Sequence, residues 1–444
     1  MKNNLSNFII NIVLTFSILV SIIAFFTDLN NTFQYGGVDL RNRVTSARAL
    51  NWGLDPYHFK SYNFQGDKRD LLFHPLEYSP DIPVSITTIT PTTLVLHLPM
   101  ANLSYKTQRI MWFFIQWLLL FLILLIFTQN TKSKEKSKVI WIIGLLFISG
   151  NYFWHFHVER GQIYVLFAFL LSLAYWIYQR PFKYNNIISG VILGFATTLR
   201  PPIILMSIPF LIYKKWYFLF GMFLGVIIGF ILSITIADTS IWGKYLSAMQ
   251  IQTEICFQKI PGTTASELLS LEGRHKIVEG VNLANILYLP NSDSSIQSIV
   301  RRFFAFQLSK NVLLVSLLTT LVIISIFLFK HRLKNISTNI VFLTGVGLVF
   351  LSEFFLPASR GSYCNIIWLP VLSLIVINSD SINSLFNKRL VFLLIAGLVS
   401  TISFSWMPGS INILFGQVFI VIYSLFTIFS FIKSFNNNKL ELNS

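Results

Sequence analysis

The residues best suited to chemistry sit in a few short runs, each beside an apolar stretch. The first is Gly37-Val38-Asp39-Leu40-Arg41-Asn42-Arg43, followed by Ala47-Arg48-Ala49-Leu50 and Gly53-Leu54-Asp55-Pro56-Tyr57. A carboxylate at Asp39 reads either as a solvated charge or helix N-cap, or as a general base that takes a proton from an attacking hydroxyl. Asp55 before Pro56 suits a turn. His155-Phe156-His157-Val158-Glu159-Arg160-Gly161-Gln162 invites a zinc reading. Residues two apart on a helix do not share a face, however, and no third and fourth ligand is evident, so no metal site is assigned. Arg160 reads as an interfacial anchor. Arg200-Pro201-Pro202 lies between two apolar segments. Ionisable groups at membrane depth are costly and tend to be functional. A guanidinium there either snorkels to the interface or grips a phosphate with its planar fork. Arg360, in Pro357-Ala358-Ser359-Arg360-Gly361-Ser362-Tyr363, is read the same way. Trp52, Tyr57, Trp154 and Trp242 fit an interfacial aromatic belt ahead of sugar platforms. Cys256 and Cys364 form neither a CxxC pair nor a metal spacing.

The elements that hold these runs are dictated by composition. Of 444 residues, 54% are apolar and 12% charged, about half the charged share of a soluble protein. Repeated apolar runs match the roughly 20 residues that cross a bilayer. The expected fold is therefore all-α, a polytopic membrane protein of about 12 spans. They are placed near 8–26, 109–128, 138–154, 161–179, 186–199, 202–213, 216–236, 311–330, 339–356, 362–378, 389–406 and 411–432. The stretch from Met1 to Phe26 lacks a small-x-small cleavage site and reads as a retained span. A net charge of +16 is read as membrane topology, not as a nucleic-acid surface.

Lys and Arg set the orientation. The tract Thr131–Lys138, the pairs Arg180/Lys183, Lys214/Lys215 and Lys388/Arg389 with Asp380 before the last, Lys330 with Arg332 and Lys334, and both termini together carry +13, leaving +3 for the other side. The positive-inside rule puts the first set and both termini in the cytoplasm. The segment Ile82–Leu103 is apolar but broken by Pro83, Pro91 and Pro99. Counting it as a span would force the basic tract outside, so it is taken as re-entrant or interfacial on the outer face. Residues 27–83 then form a first outer loop and 237–310 a second, with helices around 240–257 and 294–309. Residues 436–444 read as a disordered tail. The whole chain reads as one membrane domain whose motif residues gather at the non-cytoplasmic face of the cell (inner) membrane.

Taken in order, these runs resemble glycosyltransferase family 87 of the GT-C superfamily. The stretch GVDLRNRVTSARALNWGLDPY is similar to its first-loop signature: an Asp after the first span, a helix of small residues, then Gly-x-x-Pro-Tyr. Tyr78-Ser79-Pro80 resembles its Tyr-Pro-Pro, and Gly161-Gln162-Ile163-Tyr164 its Gly-Gln-x-Asn, with Tyr164 where Asn is usual. Ser189-Gly190 through Arg200-Pro202 resembles its glycine-bearing helix with a basic end, and Pro357 to Pro370 its late Pro-x-Ser motif. The likeness covers residues 1–215 well and 340–375 weakly. Ser362 stands where family members often carry a His.

The resemblance implies a sugar donor carried on a polyprenyl phosphate and an acceptor that is a lipid-linked or envelope glycan, with no further cofactor and no nucleic-acid partner. The transferred unit would be a hexose or pentose, with mannose-like sugars favoured. Asp39 would be the base of an inverting transfer. Arg200, Arg360 and Gln162 would bind the donor and its phosphate, and Arg43, Tyr57, His157 and Tyr363 other parts of the substrates. A transporter of lipid-linked saccharides would share the helices, but should show internal repeats and polar residues at mid-depth on several spans. A non-catalytic envelope scaffold, with 237–310 as its partner surface, is the third reading.

Overall fold

The computed structural model describes residues 2–34, 36–57, 87–256, 295–304, 306, 308–331, 337–355, 361–379, 394–401 and 411–441. Arg360, Tyr78-Ser79-Pro80 and residues 257–294 and 442–444 lie outside the described residues, so the expectations placed on them are not addressed by the structure.

The described chain is helical. In order it forms α1 (Lys2–Gln34), α2 (Val38–Asn51), α3 (Pro91–His97), α4 (Tyr105–Gln129), α5 (Lys134–Ile142), α6 (Tyr152–Arg160), α7 (Tyr164–Tyr178), α8 (Asn185–Leu199), α9 (Ser207–Ile212) and α10 (Trp216–Ile236). Then come α11 (Ile241–Cys256), α12 (Ile296–Phe304), α13 (Lys310–Lys330), α14 (Thr338–Ser352), α15 (Trp368–Asn378) and α16 (Ile411–Glu441). Residues 394–400 are also helical. Starts follow local chemistry. Thr90, Ser104, Ser133 and Ser309 cap α3, α4, α5 and α13 by accepting from a backbone N–H three residues on.

Among the described residues, six helices are long and apolar enough to cross a membrane, or seven if Lys134–Ser149 and α6, bent by 63°, count as one broken span. The expected count of about 12 is not confirmed: the expected span 389–406 is described only over 394–401. Several runs read as spans are short: Tyr164–Tyr178, Asn185–Leu199, Pro201–Ile212 and Ser362–Asn378. A fifteen-residue helix is about 22 Å long, short of the roughly 30 Å hydrocarbon core. Two of the four begin as 3-10 turns, Pro201–Met206 and Ser362–Ile367. Such helices suit a membrane protein when others cover them, as they do along most of α15. Within 27–83, α1 runs to Gln34 and α2 spans Val38–Asn51, and 237–310 contains α11 and α12. Residues 436–441, expected to be disordered, continue α16; no Gly or Pro interrupts that end.

The tightest packing is between α8 and α10. Gly190 and Gly194 lie one turn apart on α8, and Gly221, Gly225 and Gly229 on α10. A Cβ at Gly194 would sit 1.9 Å from the Met222 carbonyl oxygen, and one at Gly221 2.1 Å from that of Ile187. Small residues at four-residue spacing let two membrane helices meet backbone to backbone. An aromatic cluster closes the same end of the bundle, with Phe210 stacked on Phe218 at 3.6 Å between centroids and both edge-on to Phe342.

This packing gives a paired expectation. Gly194→Ala should lower the melting temperature of detergent-solubilised protein by the equivalent of about 1–3 kcal/mol, because the helices must separate. Gly243→Ala, on α11 where nothing lies within 4 Å of the added carbon, should be neutral or stabilise by about 0.5–1 kcal/mol. Thermal melts read by size-exclusion chromatography separate the two.

Candidate active site

Two turns lock together to make the site. After α1 the chain reverses through Gly36 and Gly37, both at positive φ. The Gly37 N–H donates to the Glu159 carbonyl at 2.5 Å, and the Tyr105 hydroxyl donates to the Gly36 carbonyl. On the facing side α6 ends at Gly161 with φ +66°, where an added Cβ would lie 2.7 Å from the Leu40 Cβ. Only glycine fits a left-handed position pressed against a neighbouring chain. The interlock sets the start of α2 against the end of α6, so Asp39 in the first turn of α2 faces Arg160 and Gln162.

Asp39 is held on both oxygens. Arg160 Nε donates to Oδ2 at 2.5 Å and Nη2 to Oδ1 at 2.9 Å, and the Gln162 amide also donates to Oδ2. Gln162 is clamped in turn: its side-chain oxygen accepts from Arg43 Nη2 at 2.5 Å, and its carbonyl accepts from Trp112 Nε1 at 3.1 Å. Arg43 lies one helical turn beyond Asp39 on α2, and its Nη1 donates to the Gly161 carbonyl at 2.7 Å. Burial pulls the Arg43 guanidinium below its ordinary range, with Asp39 opposing that shift.

Arg200 enters from the other side. It ends α8 in an extended conformation, as expected before a proline. Its Nη2 lies 2.8 Å and 3.0 Å from the two Glu353 oxygens, and its Nε 3.1 Å from one of them. Glu353 is 0% exposed. The Arg200 guanidinium also sits over the Tyr164 ring at 5.2 Å.

Between these groups is a cavity of about 190 Å3. Asp39, Arg43, Gln162, Tyr164, Arg200 and Tyr363 line it, with a hydroxyl-bearing wall from Thr87 to Thr90 and Thr93. Thr90 and Thr93 are fixed by donating to the Leu199 carbonyl at 3.3 Å each. Five of the sequence-derived candidates thus meet in one space: Asp39, Arg43, Gln162, Arg200 and Tyr363. Two others do not line it. Tyr57 is buried behind the wall, its hydroxyl donating to the Ile89 carbonyl at 2.9 Å and its ring 5.8 Å from that of Tyr245; burial pushes that hydroxyl up. His157 is fully buried in α6 against Trp154 and accepts from the Val165 N–H at 3.2 Å, so packing, not substrate, surrounds it. His155 turns elsewhere, to Asp28 at 2.5 Å, so the two imidazoles do not converge on one ion.

Motif spacing does not single out Arg160, Glu353 or the threonine wall as site residues. Arg160 was read as an interfacial anchor, whereas it forks onto Asp39. Glu353 carried a usable signal: it is a carboxylate at the end of an otherwise apolar run.

The arrangement supplies one carboxylate able to accept a proton and guanidinium groups able to meet an anion. Residues 88–352 match the model of glycosyltransferase family 87. No curated protein and no solved structure matches the chain. The matched stretch includes Gln162, Tyr164 and Arg200; Asp39 and Arg43 precede it.

Removing one partner of a buried pair strands the other. Glu353→Gln should therefore destabilise the protein by about 3–5 kcal/mol, and Arg200→Gln in the same chain should restore part of the loss. A double-mutant cycle on melting temperature tests this; additive losses would show that the pair does not couple.

Proposed function

The chain belongs to glycosyltransferase family 87, and on that premise we propose how this membrane glycosyltransferase works. It moves a hexosyl or pentosyl unit, mannose-like by preference, from a polyprenyl-phosphate donor to a lipid-linked or envelope glycan. The reaction takes place at the non-cytoplasmic face of the cell membrane, with both termini inside. The observation that carries this reading is the single cavity shared by Asp39, Arg43 and Arg200.

The chemistry follows from free lone pairs. An ionised carboxylate offers about four acceptor sites. Asp39 Oδ2 takes two bonds, from Arg160 and Gln162, and Oδ1 takes one. Oδ1 keeps capacity for an acceptor hydroxyl. As that hydroxyl oxygen attacks the anomeric carbon, its proton passes to Asp39 and the bond from carbon to the donor's phosphate oxygen breaks. The lipid phosphate leaves with an added negative charge, where fixed guanidinium groups stabilise it most. Among the described residues Asp39 is the one carboxylate that lines the cavity; Glu353, bound to Arg200, does not. With one base facing the sugar, direct displacement inverts the anomeric centre. Arg160 and Gln162 position the base, and Tyr363 and the threonine hydroxyls fit a polyhydroxylated sugar.

Asp39→Asn keeps the shape of the side chain and removes the base. Release of polyprenyl phosphate should fall about 10²–10⁴-fold, while the folded yield is retained. The assay offers purified protein a panel of polyprenyl-phosphate sugars with candidate acceptors. Undiminished turnover would remove Asp39 from catalysis, and a scaffold protein would show no turnover to lose.

A further inference from the structure

Counting which charges around the cavity are already answered singles out one residue. Asp39 is engaged by Arg160 through two hydrogen bonds. Arg200 is engaged by Glu353, which holds both oxygens toward it. Glu159 turns to a separate small pocket that it shares with Arg109. Arg43 is different. It is 5% exposed and lines the cavity, yet its hydrogen-bond acceptors are a backbone carbonyl and an amide oxygen, both neutral. Asp39 attracts it at longer range, but that single negative charge is already shared with Arg160. A buried cation without a carboxylate of its own is costly. Such a charge is stable where a ligand supplies the anion.

We infer that Arg43 is the residue that receives the phosphate of the lipid-borne donor, its guanidinium being the positive charge of the cavity that no carboxylate among the described residues pairs by hydrogen bond. This rests on the transferase reading above and reassigns the phosphate contact within it. A sugar phosphodiester brings one negative charge, which balances one guanidinium. Arg200, by contrast, would have to leave Glu353 to bind phosphate with its full charge. Its position then suits secondary contacts from the cavity wall.

Farnesyl phosphate and farnesol differ by the phosphate alone, so their affinities for the full-length protein in nanodiscs isolate the anion contact. Wild type should prefer farnesyl phosphate, and Arg43→Gln should reduce that preference by roughly ten- to a hundred-fold while leaving farnesol affinity unchanged. Arg200→Gln should reduce it less. In Arg43→Lys, which retains a charge, the preference should survive in part; complete loss in a folded lysine protein would assign Arg43 to packing and overturn the inference. So would a folded Arg43→Gln protein with the wild-type preference. Inorganic phosphate that binds wild type as tightly as farnesyl phosphate would overturn the lipid-borne source. If wild type shows no preference for the phosphate at all, the polyprenyl-phosphate donor reading itself falls, which separates the two failures.

Discussion

A polar helix buried inside an apolar bundle has to find partners for its charges, and α2 imposes that demand on the rest of the fold. Every residue from Leu40 to Ala49 is buried, including Arg41, Arg43 and Arg48. In water these side chains would be solvated at no cost; inside the protein each must be met by a carbonyl, an amide or a carboxylate. Arg48 draws in the Ala101 carbonyl at 2.8 Å, which ties the turn after α3 to α2. Arg43 draws in Gly161 and Gln162, and Asp39 draws in Arg160. The interlocked glycine turns allow the two backbones to come close enough for these bonds to form. The positions of α3, α6 and the Gln162 loop are thus coupled through one short helix.

The opposite wall is built by a different force. Backbone-to-backbone contact between α8 and α10 fixes the direction of α8, and Pro201 ends it at Arg200. Glu353, at the end of α14, meets the guanidinium there. The two walls therefore depend on separate interactions, polar hydrogen bonding on the α2 side and glycine-mediated packing on the α8 side. The cavity lies where they face each other, with the Thr90 and Thr93 hydroxyls bonded across to Leu199 as a link between them.

Much of this was legible in the chain. Apolar run lengths identify a helical membrane protein, and the motifs around Asp39, Gln162, Arg200 and Tyr363 converge in space. What could not be read was which side chain answers which. Arg160 and Gln162 are separated from Asp39 by more than a hundred residues, and nothing in local spacing shows that both converge on one carboxylate. The span count is less legible for a related reason. Hydropathy reports how apolar α7, α8 and α15 are, but the same composition serves a lipid-facing span and a short helix enclosed by others. His157 shows the reverse case: a residue type suggestive of chemistry, placed by the apolar face of α6 into packing against Trp154.

Burial also explains why the site spends two ion pairs on so small a space. In a low-dielectric setting a free carboxylate would swing toward whatever cation is nearest, and the guanidinium groups would compete for it. Forking Arg160 onto Asp39 and Glu353 onto Arg200 gives each charge a fixed partner and a fixed direction. Arg160 is reinforced by the Phe156 ring, 5.3 Å from its guanidinium carbon. The result is a base that cannot collapse onto Arg43 or Arg200 when the cavity is empty, so that an incoming anion meets a cation instead of a closed salt bridge. Preorganisation of this kind costs stability in the resting protein and lowers the reorganisation needed when charge develops on the departing group.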